Sequence, residues 1–118
     1  HCALFLWATS PKLAEAMAVL EAWGFNYRTC AVWVKNKIGM GYYFRQQHEL
    51  LLVGAIGSPP MPDESARPSS VFNAPRGEHS AKPTGVAVAI EAMYPNLPKV
   101  ELFCRLPRPG WDAWGYEA

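Results

Sequence analysis

The 118-residue chain carries almost no net charge, few cysteines and no long apolar run, and each shortage removes a class of function. Its formal net charge is +1, without the basic surplus of proteins that hold nucleic acid by neutralising phosphates along a whole face. Any contact with nucleic acid must be local. The three cysteines, Cys2, Cys30 and Cys104, lie far apart and form no C-x-x-C pair, which argues against a zinc site or a disulfide framework. Beside apolar neighbours they read as buried free thiols in a reducing cytoplasm. No apolar stretch approaches the roughly 20 residues that span a bilayer, and no basic segment precedes the apolar residues 3–8 as in a signal peptide, so no membrane partner is expected. His48 and His79 stand apart from acid-base partners and from metal-ligand spacing, leaving nucleophilic and zinc chemistry without support. No internal repeat is present.

Half of the residues are hydrophobic, enough for one core in a single domain over residues 1–118. The chain opens on His1 and Cys2 rather than Met, directly on a strand-like run, and is expected to be cut from something longer. Ala3-Leu4-Phe5-Leu6-Trp7-Ala8 is continuously apolar and too short for an independent helix, which suits a strand buried on both faces of a parallel sheet. Thr9-Ser10-Pro11 then supplies a cap and a proline for the first helical turn. Leu13, Met17 and Leu20 recur at helical spacing before Gly24, predicting a helix from Lys12 to about Trp23. The β-branched and aromatic stretch Tyr27 to Lys35 completes a strand, helix, strand unit, for which a parallel sheet with a right-handed crossover is expected.

A polar, glycine-punctuated loop covers residues 36–47, and residues 49–54 repeat the buried-strand signature. Pro59, Pro60, Pro62 and Pro68 make residues 58–69 an irregular surface connection inside the domain. Residues 70–73 read as a short strand. Pro83 to Met93 reads as a helix with Val86, Ile90 and Met93 on one face, ended by Pro95, and Val100 to Cys104 as the last strand. Alternating elements of this kind point to an α/β, Rossmann-like sheet that lacks the strands preceding His1.

Chemistry can be attached to few positions. Lys82, beside Pro83 at a helix start, could hold an ammonium where backbone N–H groups already favour an anion or carboxylate, or could be an ordinary solvated lysine. Arg105 falls at the C-terminal edge of a strand, where ligands bind in open α/β sheets, or is a surface arginine paired with an acid such as Glu101. Gly39-Met40-Gly41-Tyr42-Tyr43-Phe44-Arg45 joins flexible glycines, consecutive aromatics and a cation, the ingredients for stacking on an extruded base; the same aromatics could instead plug the core. Trp111 and Trp114 could wall a pocket for a flat ligand or seal a sheet edge.

Taken in order, four segments resemble the MT-A70 family of adenine-N6 methyltransferases. Lys35, Gly39, Gly41, Tyr42, Tyr43, Arg45 and Glu49, with the run from Leu51 to Gly57, resemble its K-x-x-x-G-x-G-aromatic-aromatic-x-R-x-x-x-E segment and following strand. His79-Ser80-x-Lys82-Pro83, with Glu91 and Tyr94-Pro95, resembles its H-S-x-K-P helix. Glu101-Leu102-Phe103-x-Arg105 and Gly110-Trp111-Asp112-x-Trp114-Gly115 resemble its E-L-F-x-R strand and G-W-D-x-W-G ending.

The resemblance implies a permuted class I methyltransferase sheet, incomplete at its N-terminus, with S-adenosylmethionine as cofactor and an adenine of DNA or RNA as substrate. It would put Lys82 and Arg105 at the cofactor, Arg105 on the ribose side, with Trp114 to Glu117 closing over it. The loop with Gly41, Tyr43 and Arg45 would border the adenine. Two departures stand out. Tyr116 occupies a position where the family usually has asparagine, and Thr84-Gly85 follows Lys82-Pro83 where the family usually has an acid. The larger absence is the Asp-Pro-Pro-Trp tetrad, to which the family's orientation of the adenine amine is attributed; nothing from His1 to Ala118 replaces it.

The expectation is therefore the C-terminal part of a bacterial or phage adenine-N6 methyltransferase, acting on DNA more than RNA and inactive alone. A catalytically dead relative serving as a nucleic-acid-binding or partner subunit is the second expectation, and an unrelated nucleotide-binding α/β domain the third. An incomplete sheet would expose an apolar edge, so a homo-oligomer is plausible.

Overall fold

In the computed structural model, described over residues 1–75, 82–102 and 108–114, the apolar runs form the centre of a mixed sheet. Its strands are β1 (Cys2–Ala8), β2 (Asn26–Val34), β3 (His48–Ile56) and β4 (Val71–Asn73), in the spatial order β1-β3-β2-β4. β3 is antiparallel to both neighbours, with Leu6 opposite Leu52 on one side and Cys30 opposite Leu52 on the other. β2 and β4 are parallel, Trp33 lying opposite Phe72.

The expected adjacent parallel strands are thus corrected. β1 and β2 do run the same way, but β3 is inserted between them. Continuous hydrophobicity correctly marks β3, which is buried along most of its length. It misleads for β1, which lies at the edge of the sheet and is mostly half-buried. Cys2, the first residue of that edge strand, is an exposed free thiol and not a buried one; Cys30 is free and half-buried, and Cys104 lies outside the described residues.

Between β1 and β2 a 3-10 turn at Ser10–Lys12 carries Pro11 into helix α1 (Leu13–Ala22). Thr9 caps that turn with its backbone carbonyl, which accepts from Lys12 N–H at 3.1 Å, and its hydroxyl makes no cap. The helix stops where Gly24 adopts φ 88, with Gly24 N–H bonded to Glu21 O and Phe25 N–H to Leu20 O. These two bonds form a Schellman ending, for which glycine is favoured because left-handed backbone crowds a Cβ. Phe25 and Leu20 pack in the same cluster, the apolar contact that accompanies this ending. Leu13 is corrected from a core position to an exposed one; Met17 and Leu20 carry the contact.

Side chains alternate across a strand, so the register sorts the sheet into two faces. Leu4, Leu6, Ala8, Cys30, Leu50 and Leu52 pack with α1, Leu20 being fully buried. Trp7, Glu49, Leu51 and Trp33 fall on the opposite face, where Trp33 stands directly across from Glu49 and Trp7 from Leu51.

Helix α2 (Thr84–Met93) follows Pro83, which supplies its extended N-cap, and buries Val86. Strands β5 (Val100–Leu102) and β6 (Asp112–Trp114) pair in parallel as a separate two-stranded sheet. No strand was expected at β6. Among the described residues, no helix is long and apolar enough to cross a membrane.

Candidate functional site

On the face away from α1, a carboxylate sits among two ammoniums and two indoles. Glu49, the second residue of β3, is only 8% exposed. Its Oε1 accepts from Lys82 Nζ and its Oε2 from Lys35 Nζ, each at 2.7 Å, distances typical of charge-assisted hydrogen bonds. Lys35 reaches it from the end of β2, and Lys82 from the approach to α2. Burial alone pushes the Glu49 carboxyl upward, but the hydrogen bonds from Lys35 and Lys82, together with their charges, hold it below its ordinary value.

Trp33 is almost fully buried beneath this group, anchored by Nε1 donating to Ala74 O at 3.0 Å, and Trp7 meets it edge to face with centroids 5.8 Å apart. Lys35 Nζ lies 5.1 Å from the Trp33 ring, and Lys82 Nζ 5.4 Å from the Trp7 ring and 6.0 Å from the Trp33 ring. The π faces attract the ammoniums where water is scarce. Among the described residues, two ammoniums against one carboxylate leave one positive charge in excess, on a lysine whose side chain is 36% exposed. That surface favours an acceptor atom or an anion over another cation.

The loop between β2 and β3 rises from the same cluster. Its base is clasped twice, Lys35 N–H donating to Gln47 O at 2.9 Å and Gln47 Nε2 to Lys35 O at 3.0 Å. Higher up, Gly39 N–H donates to Gln46 O at 2.7 Å, and Ser10 Oγ fastens Gln46 Oε1 to the turn before α1 at 2.8 Å. Gly41 is required by packing, since a Cβ there would run into the Phe44 carbonyl and approach Gln46 Cγ at 2.9 Å. Tyr43 has φ 63 and centres a γ-turn, with Phe44 N–H bonded to Tyr42 O at 2.6 Å, a strained conformation for a residue with a side chain.

A second polar group ties α2 to the approach to β6. Glu91 accepts Arg108 Nε at 2.7 Å, Arg108 Nη2 at 2.9 Å and Trp111 Nε1 at 2.7 Å. Those bonds lower its carboxyl to about 2. Trp111 is thereby fixed by its indole N–H. The apolar groove between α2 and the 3-10 turn at Glu64–Ala66 lies elsewhere; its cation, Arg67, is bonded through Nε to Pro62 O.

The MT-A70 family model matches residues 1–117. The chain belongs to the MT-A70 family. It is 41% identical over 117 residues to "Type II methyltransferase M.MunI" of Mycoplasma sp, a match covering 98% of this chain and 50% of that protein. It is 30% identical over 125 residues to "Putative N(6)-adenosine-methyltransferase MT-A70-like" of Medicago truncatula, covering 98% of this chain and 20% of that one. The corresponding Arabidopsis thaliana protein is 29% identical over 122 residues, with 95% and 18% covered. The chain thus spans half the length of M.MunI and about a fifth of the plant relatives.

Within this MT-A70 chain, the structure brings Lys82 to Glu49 and sets Gly41, Tyr43 and Arg45 in one loop rooted at that cluster through Lys35. Arg45 Nε donates to Gly39 O at 3.3 Å. Tyr43 does not plug the core; it stands fully outside. Trp114 continues the backbone of β6, its side chain being outside the described set; Arg105 and Glu117 also lie outside the described residues. Trp7 and Trp33 were given no role from sequence, and Glu49 only a place in a motif. A charged residue heading the apolar run Leu50 to Val53 was the available signal, because a carboxylate buried in a sheet must find cations.

Proposed function

We propose that the chain is the cofactor-side part of an S-adenosylmethionine-dependent adenine-N6 methyltransferase acting on DNA in preference to RNA, and that alone it does not transfer a methyl group. The observation that carries this is the Lys35–Glu49–Lys82 cluster at the root of an aromatic loop in an MT-A70 chain. The cluster suits part of such a site: its excess positive charge matches the cofactor's carboxylate or an acceptor nitrogen of adenine, and it does not match a sulfonium directly in contact. S-adenosylmethionine, when bound, supplies the methyl group.

In this reading Lys82 offers its ammonium to an acceptor of the cofactor, held in place by Glu49 and by the Trp7 and Trp33 rings. Arg105 takes the ribose side, and Trp114 and Glu117 lie in the segment that closes over the cofactor. Gly41, Tyr43 and Arg45 belong to the substrate side. The mixed sheet is part of a larger permuted Rossmann-like sheet, extended beyond the open edge of β1. Higher identity to a type II methyltransferase than to the plant adenosine methyltransferases supports the preference for DNA. The absence of Asp-Pro-Pro-Trp from residues 1–118 supports inactivity of these residues in isolation; a partner subunit without catalysis is the second reading.

Calorimetric titration with S-adenosylhomocysteine tests the cofactor reading. Binding by the folded protein, lost in Lys82→Ala, is the expected result. A folded protein that takes up nucleic acid but no S-adenosylhomocysteine would favour the partner-subunit reading. Transfer of a labelled methyl group to adenine by the purified chain would refute its inactivity.

A further inference from the structure

The tip of the loop between β2 and β3 exposes Met40, Tyr42, Tyr43 and Phe44 by 87%, 85%, 97% and 78%. Four large apolar side chains on one tip are costly in water and would ordinarily fold back onto the sheet. Here the clasps at Lys35–Gln47 and Gly39–Gln46, with the pin from Ser10, fasten the loop from beneath. Tyr43, with φ 63, centres the γ-turn at the tip, and the rings on either side of it are exposed. The Tyr42 and Tyr43 rings lie 6.0 Å apart at 57°, so they are not stacked face to face on each other. Among the described residues nothing covers this tip.

Charge selects the partner. From Asn36 to His48 there is no acid, while Lys37 and Arg45 are exposed beside the aromatics. Cations interleaved with rings match a phosphate backbone and stacked bases, and apolar wedges between base steps are an established way to open a duplex. The root of the loop is Lys35, whose ammonium meets Glu49 in the cluster described above. The clasps at Lys35–Gln47 and Gly39–Gln46 thus join the tip to the strands that carry that cluster.

Resting on the reading of the chain as an adenine methyltransferase, we propose that Tyr42, Tyr43 and Phe44 form a wedge that enters duplex DNA and fills the stack vacated by the extruded adenine, with Lys37 and Arg45 on the flanking phosphates. The substrate is then a duplex opened by the protein, not a strand already single.

The test compares two short DNA duplexes by fluorescence anisotropy, one fully paired and one with a single central abasic site. The protein should bind the abasic duplex more tightly, since the gap is already made. Tyr43→Asn and the double variant Y42A/Y43A should weaken that binding by about tenfold or more, the scale of one lost base-aromatic stack. Asparagine tolerates positive φ better than most residues with a side chain, and Tyr43 is 97% exposed, so an unchanged melting temperature should accompany Tyr43→Asn.

Equal affinity for the two duplexes, or variants that bind like the parent, overturns the wedge. So does a protein that is dimeric by light scattering and becomes monomeric in Y42A/Y43A with unaltered DNA affinity, which would make the tip a protein interface. Retained S-adenosylhomocysteine binding in any of these cases leaves the functional reading standing. Failure to bind either S-adenosylhomocysteine or DNA removes both.

Discussion

Replacing Glu49 by glutamine removes the one charge that holds Lys35 and Lys82 together while keeping nearly the same volume. The amide retains one acceptor oxygen and turns an N–H2 group toward the second ammonium, where two donors face each other. Each of the two bonds is charge-assisted, worth about 1.5–3 kcal/mol, so their sum sets an upper bound of about 3–6 kcal/mol. Exposure reduces it. The Lys82 side chain is 36% exposed and recovers water when released, whereas Lys35 at 18% recovers less. A loss of about 2–4 kcal/mol follows, below that of a fully buried pair. For a domain of this size it lowers the melting temperature by roughly 8–16 °C.

Thermal and urea unfolding at neutral pH measure this directly. Lys82→Met should cost about 1 kcal/mol, because it leaves Glu49 paired with Lys35. The acid limb gives a second check. The Glu49 carboxyl is held below its ordinary value of 4.5 when folded, so its contribution is complete above that pH and disappears as pH falls through the lower folded value. The gap between wild type and Glu49→Gln should therefore close in acid. A Glu49→Gln variant within about 0.5 kcal/mol of wild type at neutral pH would refute the reasoning, as would a Lys82→Met variant costing as much.

Leu20→Ala, which empties a fully buried position between α1 and Leu52, should destabilise by about 3–5 kcal/mol in urea unfolding. Glu91 is lowered to about 2 from 4.5, so the bonds to Arg108 and Trp111 stay intact above pH 4.5 and their contribution is lost between there and about pH 2. Removing the carboxylate in Glu91→Gln should abolish that part of the acid dependence without changing the part that Glu49 supplies. Gly41→Ala forces the Phe44 carbonyl and the Gln46 side chain apart; amide exchange over residues 39–47 should accelerate while protection in β3 persists.

The apolar runs and punctuation of the sequence determined most elements by themselves. Pro11 and Gly24 bracket the first helical segment, Pro83 opens α2, and the run after Glu49 becomes the buried centre of the sheet, because backbone preference and hydrophobic period act locally. The four motif segments likewise marked the family, and two of them carry the Glu49 and Lys82 that meet in the candidate site. Tertiary structure alone decided that β3 lies between β1 and β2, since a strand's pattern says that it is buried but not which neighbour buries it or in which direction. It alone brought Glu49 to Lys82 across 33 positions of sequence and set Trp7 and Trp33 edge to face beneath them. It also left the aromatic tip of the loop outside, a choice made by clasps at the loop's base that composition does not encode. Local chemistry fixes what each segment can form, and the free energy of pairing distant segments fixes which of those possibilities meet.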